Sequence, residues 1–599
     1  MIDSTPDPVP AAASRNTTGT RKPFLRQVLR LAGPYWNCER RTKVRGATIL
    51  LLLLTMGQVG LMVWVNYWNR ALFDALEQHS VHDVLLQVAV FALIFAITIA
   101  VTAVHLIVKR WLMIDFRTWL TEQLVGRWME DGRHYLLLFS AGNPDNPDQR
   151  IAEDIRIATE STFALAHSLI YCLMIMGLFV EILWTVSGAI VVPGTSIQVP
   201  GYMVPLAFIY AILGSAISWM IGRPLVRATN ALQTAEATFR FGLSRTRENT
   251  EAIALLRGEP LERASSSARF SQIVREWDRQ SLAYMGLVSF SAGYGTLLPV
   301  FPILVAAHQY IQGAMSLGVL MQAAQAFQRL TSALSWPVDN IGEIARCRAS
   351  ADRVLTLYEG LDQLDTDAQA PSSQRIVLER SERARLVIED LCITEPSGHI
   401  LLEHFNVVIR RGERVLIEGN PAVTASLFKV IGGLWPWGSG RVWLPADSSI
   451  VFVAQRPFLP DGTLRQALCY PHPPDAFPDS AIRHALECMG LAWLSHRMDD
   501  RDNWEQVLSQ RAQQRIGIAR VLLQRPAWVF LQEATDACDP KGEQLIFEMI
   551  RRELPNATLL NISFHPGLRK LHHRTLILSR VHETKILING RHGNGNDDH

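Results

Sequence analysis

The sequence predicts an α-helical membrane domain of six spans followed by a cytoplasmic α/β domain with a buried parallel sheet. Two windows, Ala47 to Tyr67 and Leu85 to Val108, are nearly uncharged apolar runs of the length a helix needs to cross the hydrocarbon core. Further along the pattern changes. Val415 to Gly419 (VLIEG), IVFVAQ, WVFLQEA and TLLNIS are short, near-continuous apolar runs, as expected of strands covered on both faces. A hydrophobic content of 48% in 599 residues, with a mean hydropathy of +0.11, also argues for membrane spans. The formal net charge of +2 gives no reason to invoke nucleic acid.

In chain order, residues 1–20 lack apolar periodicity and are expected to be flexible, as is the tail 586–599. The first span begins too late, behind Arg40, Arg41, Lys43 and Arg45, to be a cleaved signal peptide. Lys109, Arg110 and Arg117 follow the second span. Four more windows follow: Leu165 to Val192, Tyr202 to Ile221, Tyr284 to Ala307 and the more polar Leu317 to Trp336. The third and fourth are joined by VPGTSIQVPG, which carries no charge, so the positive-inside rule puts both termini in the cytoplasm. The expected division is a membrane domain at 21–350, a linker at 351–383 and the α/β domain at 384–585. Glu181 is placed in the middle of the third span, where a charged carboxylate costs roughly 3 kcal/mol. It is expected either to carry a proton in a wet transport cavity, or to pair with a polar group of another span or lie near the membrane surface if the span boundaries are shifted. Seven scattered cysteines show no paired metal spacing and read as reduced thiols; no metal site is expected.

A phosphate cradle needs Gly-x-x-x-x-Gly-Lys-Ser/Thr between a strand and a helix, so that backbone amides and the lysine surround the phosphates. The right place lies between VLIEG and the helix-like run from Ser426, yet the intervening NPAVTA holds neither glycine nor lysine. Lys429 falls within the helix and is a poor substitute. Residues 508–535 resemble the signature helix and Walker B strand of ABC-type ATPases. By that resemblance the fold is of the ABC exporter type, with a P-loop-type nucleotide-binding domain, degenerate here. Ser509 keeps the signature serine, while Arg511 stands where a close-approach glycine belongs and Ala512 where a glutamate belongs. Gln532 replaces the carboxylate that orders Mg²⁺, and Glu533 keeps the place of the catalytic glutamate. Gln455 matches the Q-loop glutamine, Asp539 the D-loop aspartate and His565 the switch histidine, with Gly419 and Ser426 as remnants of the phosphate loop. That loop is about one residue shorter than the family pattern. Losing three charge-assisted contacts at roughly 1.5 to 3 kcal/mol each weakens ATP binding on the order of a thousandfold or more. ATP and Mg²⁺ are thus implied by resemblance and weakened by substitution.

The segments WLT-x-x-L-x-x-x-WM, NPDQRIAEDI, FRFGLSRTRENTEAIALLRGEPLE, GLWPWGSGRVWLP and QRPFLPDGTLRQALCYP resemble the SbmA/BacA-like transporters, over roughly residues 24–580. That group is similar to peroxisomal fatty-acyl ABC half-transporters. The resemblance implies a homodimer of six plus six spans in the cytoplasmic (inner) membrane of a bacterium, moving peptides or other hydrophilic compounds. Little or no ATP hydrolysis is expected, with protons as the coupling ion. The alternatives are an ATP-driven transporter with altered nucleotide binding, and a nontransporting membrane scaffold or receptor.

Overall fold

The computed structural model describes residues 24–139, 146–191, 198–368, 375–446 and 449–579. The ends expected to be flexible, 1–20 and 586–599, lie outside the described residues. Two compact units emerge, Met1–Gly126 with Pro144–Tyr358, and Arg127–Asn143 with Glu359–His599.

The first unit is built from helices α1 (Arg41–Glu77), α2 (Val81–Met129), α3 (Ile155–Val186), α4 (Met203–Glu248), α5 (Glu259–Ile311) and α6 (Leu317–Leu334). Among the described residues, five helical stretches, those containing α1 to α5, are long and apolar enough to cross a membrane. Three are far longer than a span. With 49, 46 and 53 residues, α2, α4 and α5 extend roughly 70–80 Å at 1.5 Å per residue, more than twice the ~30 Å hydrocarbon core. Each therefore carries a long extension beyond the bilayer.

Helix α6 has 18 residues and falls short of the same hydropathy test for a reason visible in its contacts. The Asn66 amide on α1 donates to the Gln322 carbonyl (3.1 Å) and to Gln325 Oε1 (2.9 Å). Asp74 on α1 accepts from Ser316 Oγ (2.6 Å) and from the Gly318 amide (3.1 Å), fastening the start of α6. A Cβ on Gly318 would lie 2.2 Å from the Arg70 carbonyl oxygen, so the two backbones nearly touch there. Gln325 and the first turn of α6 are thus fastened to α1.

A second polar node joins α1, α2 and α3. His105 Nε2 and His167 Nε2 are 2.8 Å apart, and Thr55 Oγ1 lies 3.5 and 3.2 Å from them. Thr55 donates its own hydrogen to the Leu51 carbonyl (2.7 Å). Its oxygen is left to accept from whichever ring nitrogen bears a hydrogen.

Three expectations for this region are corrected. The third window does not remain helical to Val192: α3 ends at Val186, and Gly188, at φ +64°, turns the chain into strand β1 (Ala189–Val191). That strand pairs antiparallel with β2 (Gln198–Pro200), as suits the β-branched Ile190 and Val191. Glu181 is consequently five residues from the end of its helix, about one and a half turns, and it is exposed. That position agrees with the near-surface reading of Glu181 rather than with a carboxylate in the middle of its span. Finally, residues 351–383 are not a simple linker, because the helix α7 (Ile341–Ala368) runs through their first half and a strand, β3 (Val377–Ser381), occupies their end.

Among the described residues the second unit contains two large sheets, besides a short antiparallel pairing of Gly462–Thr463 with Arg501–Asp502. A mixed sheet of order β3-β7-β4-β5 uses β4 (Arg385–Thr394), β5 (Ile400–Arg410) and β7 (Gly438–Pro445). The other sheet has the order β11-β6-β10-β9-β8, with β6 (Arg414–Gly419), β8 (Ile450–Val453), β9 (Trp528–Gln532), β10 (Thr558–Ile562) and β11 (Arg574–Leu578). All its pairings are parallel, as the apolar runs require. Strand β6 shows how the layers are separated: Val415 and Ile417 enter a core shared with β4, β5 and helix α8 (Pro421–Ile431), while Leu416 enters the opposite core with helix α10 (Gln510–Gln524). Residues Arg127–Asn143, expected within the membrane domain, group with this unit. Phe139 sets its ring edge-on to Trp435 and Trp437, with centroids 5.6 and 5.2 Å away, a geometry aromatic quadrupoles favour.

Strand β6 ends at Gly419, whose φ of +130° only glycine adopts readily. A Cβ there would lie 1.8 Å from the Leu578 carbonyl oxygen on β11. Gly419→Ala is expected to destabilise the second unit by about 2 kcal/mol or more, read as a fall in its thermal unfolding midpoint. An unchanged midpoint would show that the strand end relaxes freely.

Candidate functional site

The step from β6 to α8 takes one residue. Asn420 follows Gly419 and is already the N-cap, its side-chain oxygen accepting from the Ala422 amide at 3.0 Å. Its own amide donates to the Leu578 carbonyl (2.8 Å). Pro421 at the first helical position has no N–H to offer. The helix N-terminus, where amides can gather round an anion, is therefore closed by its own cap and a proline. Ser426 is the sixth residue of α8 and buried; it stands more than a turn inside the helix rather than at its mouth. Lys429 points its ammonium at the rings of Trp435 (5.1 Å) and Tyr135 (5.8 Å), a cation–π position.

The other expected residues gather around Gln455, which follows β8. Its amide donates to Asp536 Oδ2 (2.6 Å) and Glu533 Oε2 (3.3 Å). Glu533 comes directly after β9 with φ +48°, and its amide donates to the Ile562 carbonyl on β10 (2.8 Å). Burial, and then the neighbouring Asp536, push the Glu533 carboxyl above its ordinary range. Gln532 ends β9 beside it, half-buried.

A hub missed by sequence reasoning lies under these groups. Gln514 on α10 is buried; its amide donates to the Gln455 carbonyl (3.0 Å) and to Asp536, and its oxygen accepts from the Ala537 amide (3.0 Å). The signal was a polar residue two places from Ile516 on the buried face of α10, but its partners are 22 to 59 residues away in sequence.

Ser509 caps α10, accepting from the Ala512 amide (3.4 Å). Arg511 in the first turn pairs with Asp539, Nη2 to Oδ1 2.6 Å, and Asp539 in turn caps helix α11 (Pro540–Glu553). His565 Nδ1 lies 2.9 Å from Glu543 Oε2 on α11, and that buried carboxylate also accepts from Thr535 Oγ1 (2.6 Å). At the end of β6, Glu418 is held by Arg569 through Nε (2.9 and 3.2 Å) and Nη2 (2.5 Å). Glu543, Asp536 and the Glu418–Arg569 pair were not anticipated, because each depends on a contact between distant segments.

A family profile described as ABC transporter transmembrane region 2 matches residues 31–297. The Inner membrane ABC transporter ATP-binding protein YddA of Escherichia coli (strain K12) is 30% identical over 92% of this chain and 97% of its own length. The chain belongs to the ABC transporter family. It is an ABC half-transporter, a multi-pass membrane protein of a transport family. The human Lysosomal cobalamin transporter ABCD4 is 26% identical over 78% of this chain and 80% of its own. The structure of a bacterial Atm1-family ABC exporter with ATP bound superposes with a TM-score of 0.64 over 91% of this chain and 95% of that one, at 18% identity, which fixes the exporter fold.

Within that fold the expected site residues are only partly assembled. Gln455 and Glu533 meet, as do Arg511 and Asp539; His565 is engaged by Glu543 instead of facing open space. Gly419 ends its strand and Ser426 is removed into the helix. Glu181 belongs to the other unit.

The raised Glu533 carboxyl has a consequence for stability. Its unfolded form loses the proton first as pH rises, so folding is progressively penalised from the ordinary glutamate range up through the folded value, and the penalty is constant above it. Glu533→Gln is therefore expected to be more stable than the parent at pH 7, with the gain shrinking towards zero below pH ~4. Chemical unfolding across pH 3 to 8 reads it, and a gain independent of pH would refute the cause given. Gln514→Ala, which removes the donor to Asp536 Oδ1 and the acceptor of the Ala537 amide, is expected to cost about 2 kcal/mol or more in the same assay.

Proposed function

We propose that this half-transporter moves peptides or other hydrophilic compounds across the cytoplasmic membrane as an SbmA/BacA-like homodimer, with both termini in the cytoplasm, six spans per chain and little or no ATP hydrolysis. The observation that carries the reading is the closed strand-to-helix step at Gly419, Asn420 and Pro421, where a triphosphate needs an open ring of amides and a lysine. The substitutions at Arg511 and Gln532 argue the same way. In a homodimer each composite site joins one chain's phosphate loop to the other's signature, so both sites inherit every departure.

Energy then comes from elsewhere, and a proton gradient fits the spans. The His105–His167 pair shares one hydrogen between two Nε2 atoms, because a hydrogen bond needs one nitrogen bare. A proton added to the bare Nε2 would set two N–H groups against each other across the 2.8 Å contact and push α2 from α3. The groups around them are Thr55, Tyr171, whose ring stacks on His167, and Lys109, one turn beyond His105. This pair, rather than Glu181, is the titratable group suited to coupling.

A second reading rests on the Gln455–Glu533 contact: with that pair in place, slow hydrolysis through Glu533 and His565 persists despite the closed loop. ATPase measurements separate the two. The purified dimer is expected to hydrolyse ATP no faster than its Glu533→Gln variant, and Gln532→Asp alone is expected to restore nothing, since the loop stays closed. Robust turnover abolished by Glu533→Gln would establish the second reading. In liposomes, peptide uptake is expected under an imposed pH gradient without ATP, and to lose its pH dependence in His167→Gln. A chain that transports neither way would be a scaffold.

A further inference from the structure

Far from the nucleotide site, helix α9 (Asp479–Cys488) brings together three side chains that none of the foregoing uses. His484 and Cys488 are four residues apart, which sets them one above the other on one face of the helix. From the facing end of α11, Glu553 completes the group. His484 Nε2 is 3.5 Å from Cys488 Sγ and 3.5 Å from Glu553 Oε2, and the three atoms all lie within 4.8 Å of one another.

Those separations can be compared with what a metal would require. With Zn–N, Zn–S and Zn–O bonds of about 2.05, 2.3 and 2.1 Å and tetrahedral angles, the N···S edge is about 3.6 Å and the N···O edge about 3.4 Å. The two measured edges match within about 0.1 Å. The donor set is equally apt: one imidazole, one thiol and one carboxylate suit a borderline-soft divalent ion, and the i, i+4 spacing supplies a chelate from a single helix.

We infer that His484, Cys488 and Glu553 form a zinc site, with three protein ligands and one position left for water. Coordination exchanges the thiol proton for the metal: Zn²⁺ takes the Cys488 sulfur as thiolate and one proton leaves to solvent. Because that proton must leave, binding strengthens as pH rises. Arg525 Nη2, 3.9 Å from Glu553 Oε2, is the present counter-charge and the group the ion displaces.

The site has a mechanical meaning. Helix α9 packs on α10, and α11 carries Asp539 at its start and Glu543 one turn on, the partners of Arg511 and His565. A metal gripping the far end of α11 ties it to α9 and so fixes the helix on which both contacts depend.

The test uses the full-length chain in detergent, reduced, stripped with chelator and titrated with Zn²⁺ at pH 8 against a chromophoric competitor. One tight zinc per chain is expected. His484→Ala, Cys488→Ser and Glu553→Gln should each weaken it at least tenfold, whereas Arg525→Ala should leave it as tight or tighter. Co²⁺ in place of zinc should give a thiolate charge-transfer band that Cys488→Ser removes, while circular dichroism confirms that the variant is folded. Equal zinc affinity in the parent and in a folded His484→Ala/Cys488→Ser double variant, or no cobalt–thiolate band, would overturn the assignment.

Discussion

The backbone contact between Gly419 and the Leu578 carbonyl is the constraint on which the second unit turns. Strand β6 pairs with β10 on one side and β11 on the other, and its alternate residues supply two separate cores. Its end is therefore fixed from four directions. With Gly419 pressed against β11 and the Asn420 amide bonded to the same Leu578 oxygen, the chain has no slack in which to make a wide loop. Helix α8 begins because nothing else can: an asparagine cap, then a proline whose φ suits the first turn.

Around this fixed point the polar groups have paired among themselves. Arg511 has taken Asp539, Glu543 has taken His565, Arg569 has taken Glu418 and Gln514 binds the Gln455–Asp536 corner. Each of these donors is matched by a carboxylate of the same chain. The partnership is inexpensive to keep, since the exposed Arg511–Asp539 pair contributes little to stability, whereas the buried Glu543 and Gln514 contacts would leave stranded polar atoms if broken.

Much of this organisation was legible in the residues. Five of the apolar windows fall largely within helices long and apolar enough to span, because a bilayer demands about twenty apolar residues, and the strand runs located the parallel sheet because burial on both faces removes alternation. What failed did so for physical reasons. The Leu165 to Val192 window ran on because hydropathy does not distinguish an apolar helix from the apolar hairpin that begins at Gly188, and Glu181 was misplaced with it. The span-like helix α6 looked too polar until Asn66 and Asp74 were seen to meet its glutamines and its first turn. Residues 351–383 read as a linker on the strength of the polar stretch near 361–374, although Val354, Leu355, Leu357 and Leu361 of α7 are buried. The His484–Cys488–Glu553 group was invisible because only folding brings residue 553 to residue 484, and Gln514 because its partners lie on other elements.

One consequence follows from the closed step at Asn420. Sequence change by substitution alters which side chains a turn presents but not how many residues it has. A lineage that lost a phosphate loop by exchanging its lysine could regain it with a single codon. A chain in which strand and helix are joined by one residue, with a carbonyl plugging the remaining space, needs an inserted codon and a displaced neighbour strand together. On the proposed reading this step is set by length as well as by side chains: substitution can tune what the domain grips, while opening a wider phosphate loop takes an inserted residue and a displaced neighbour strand together.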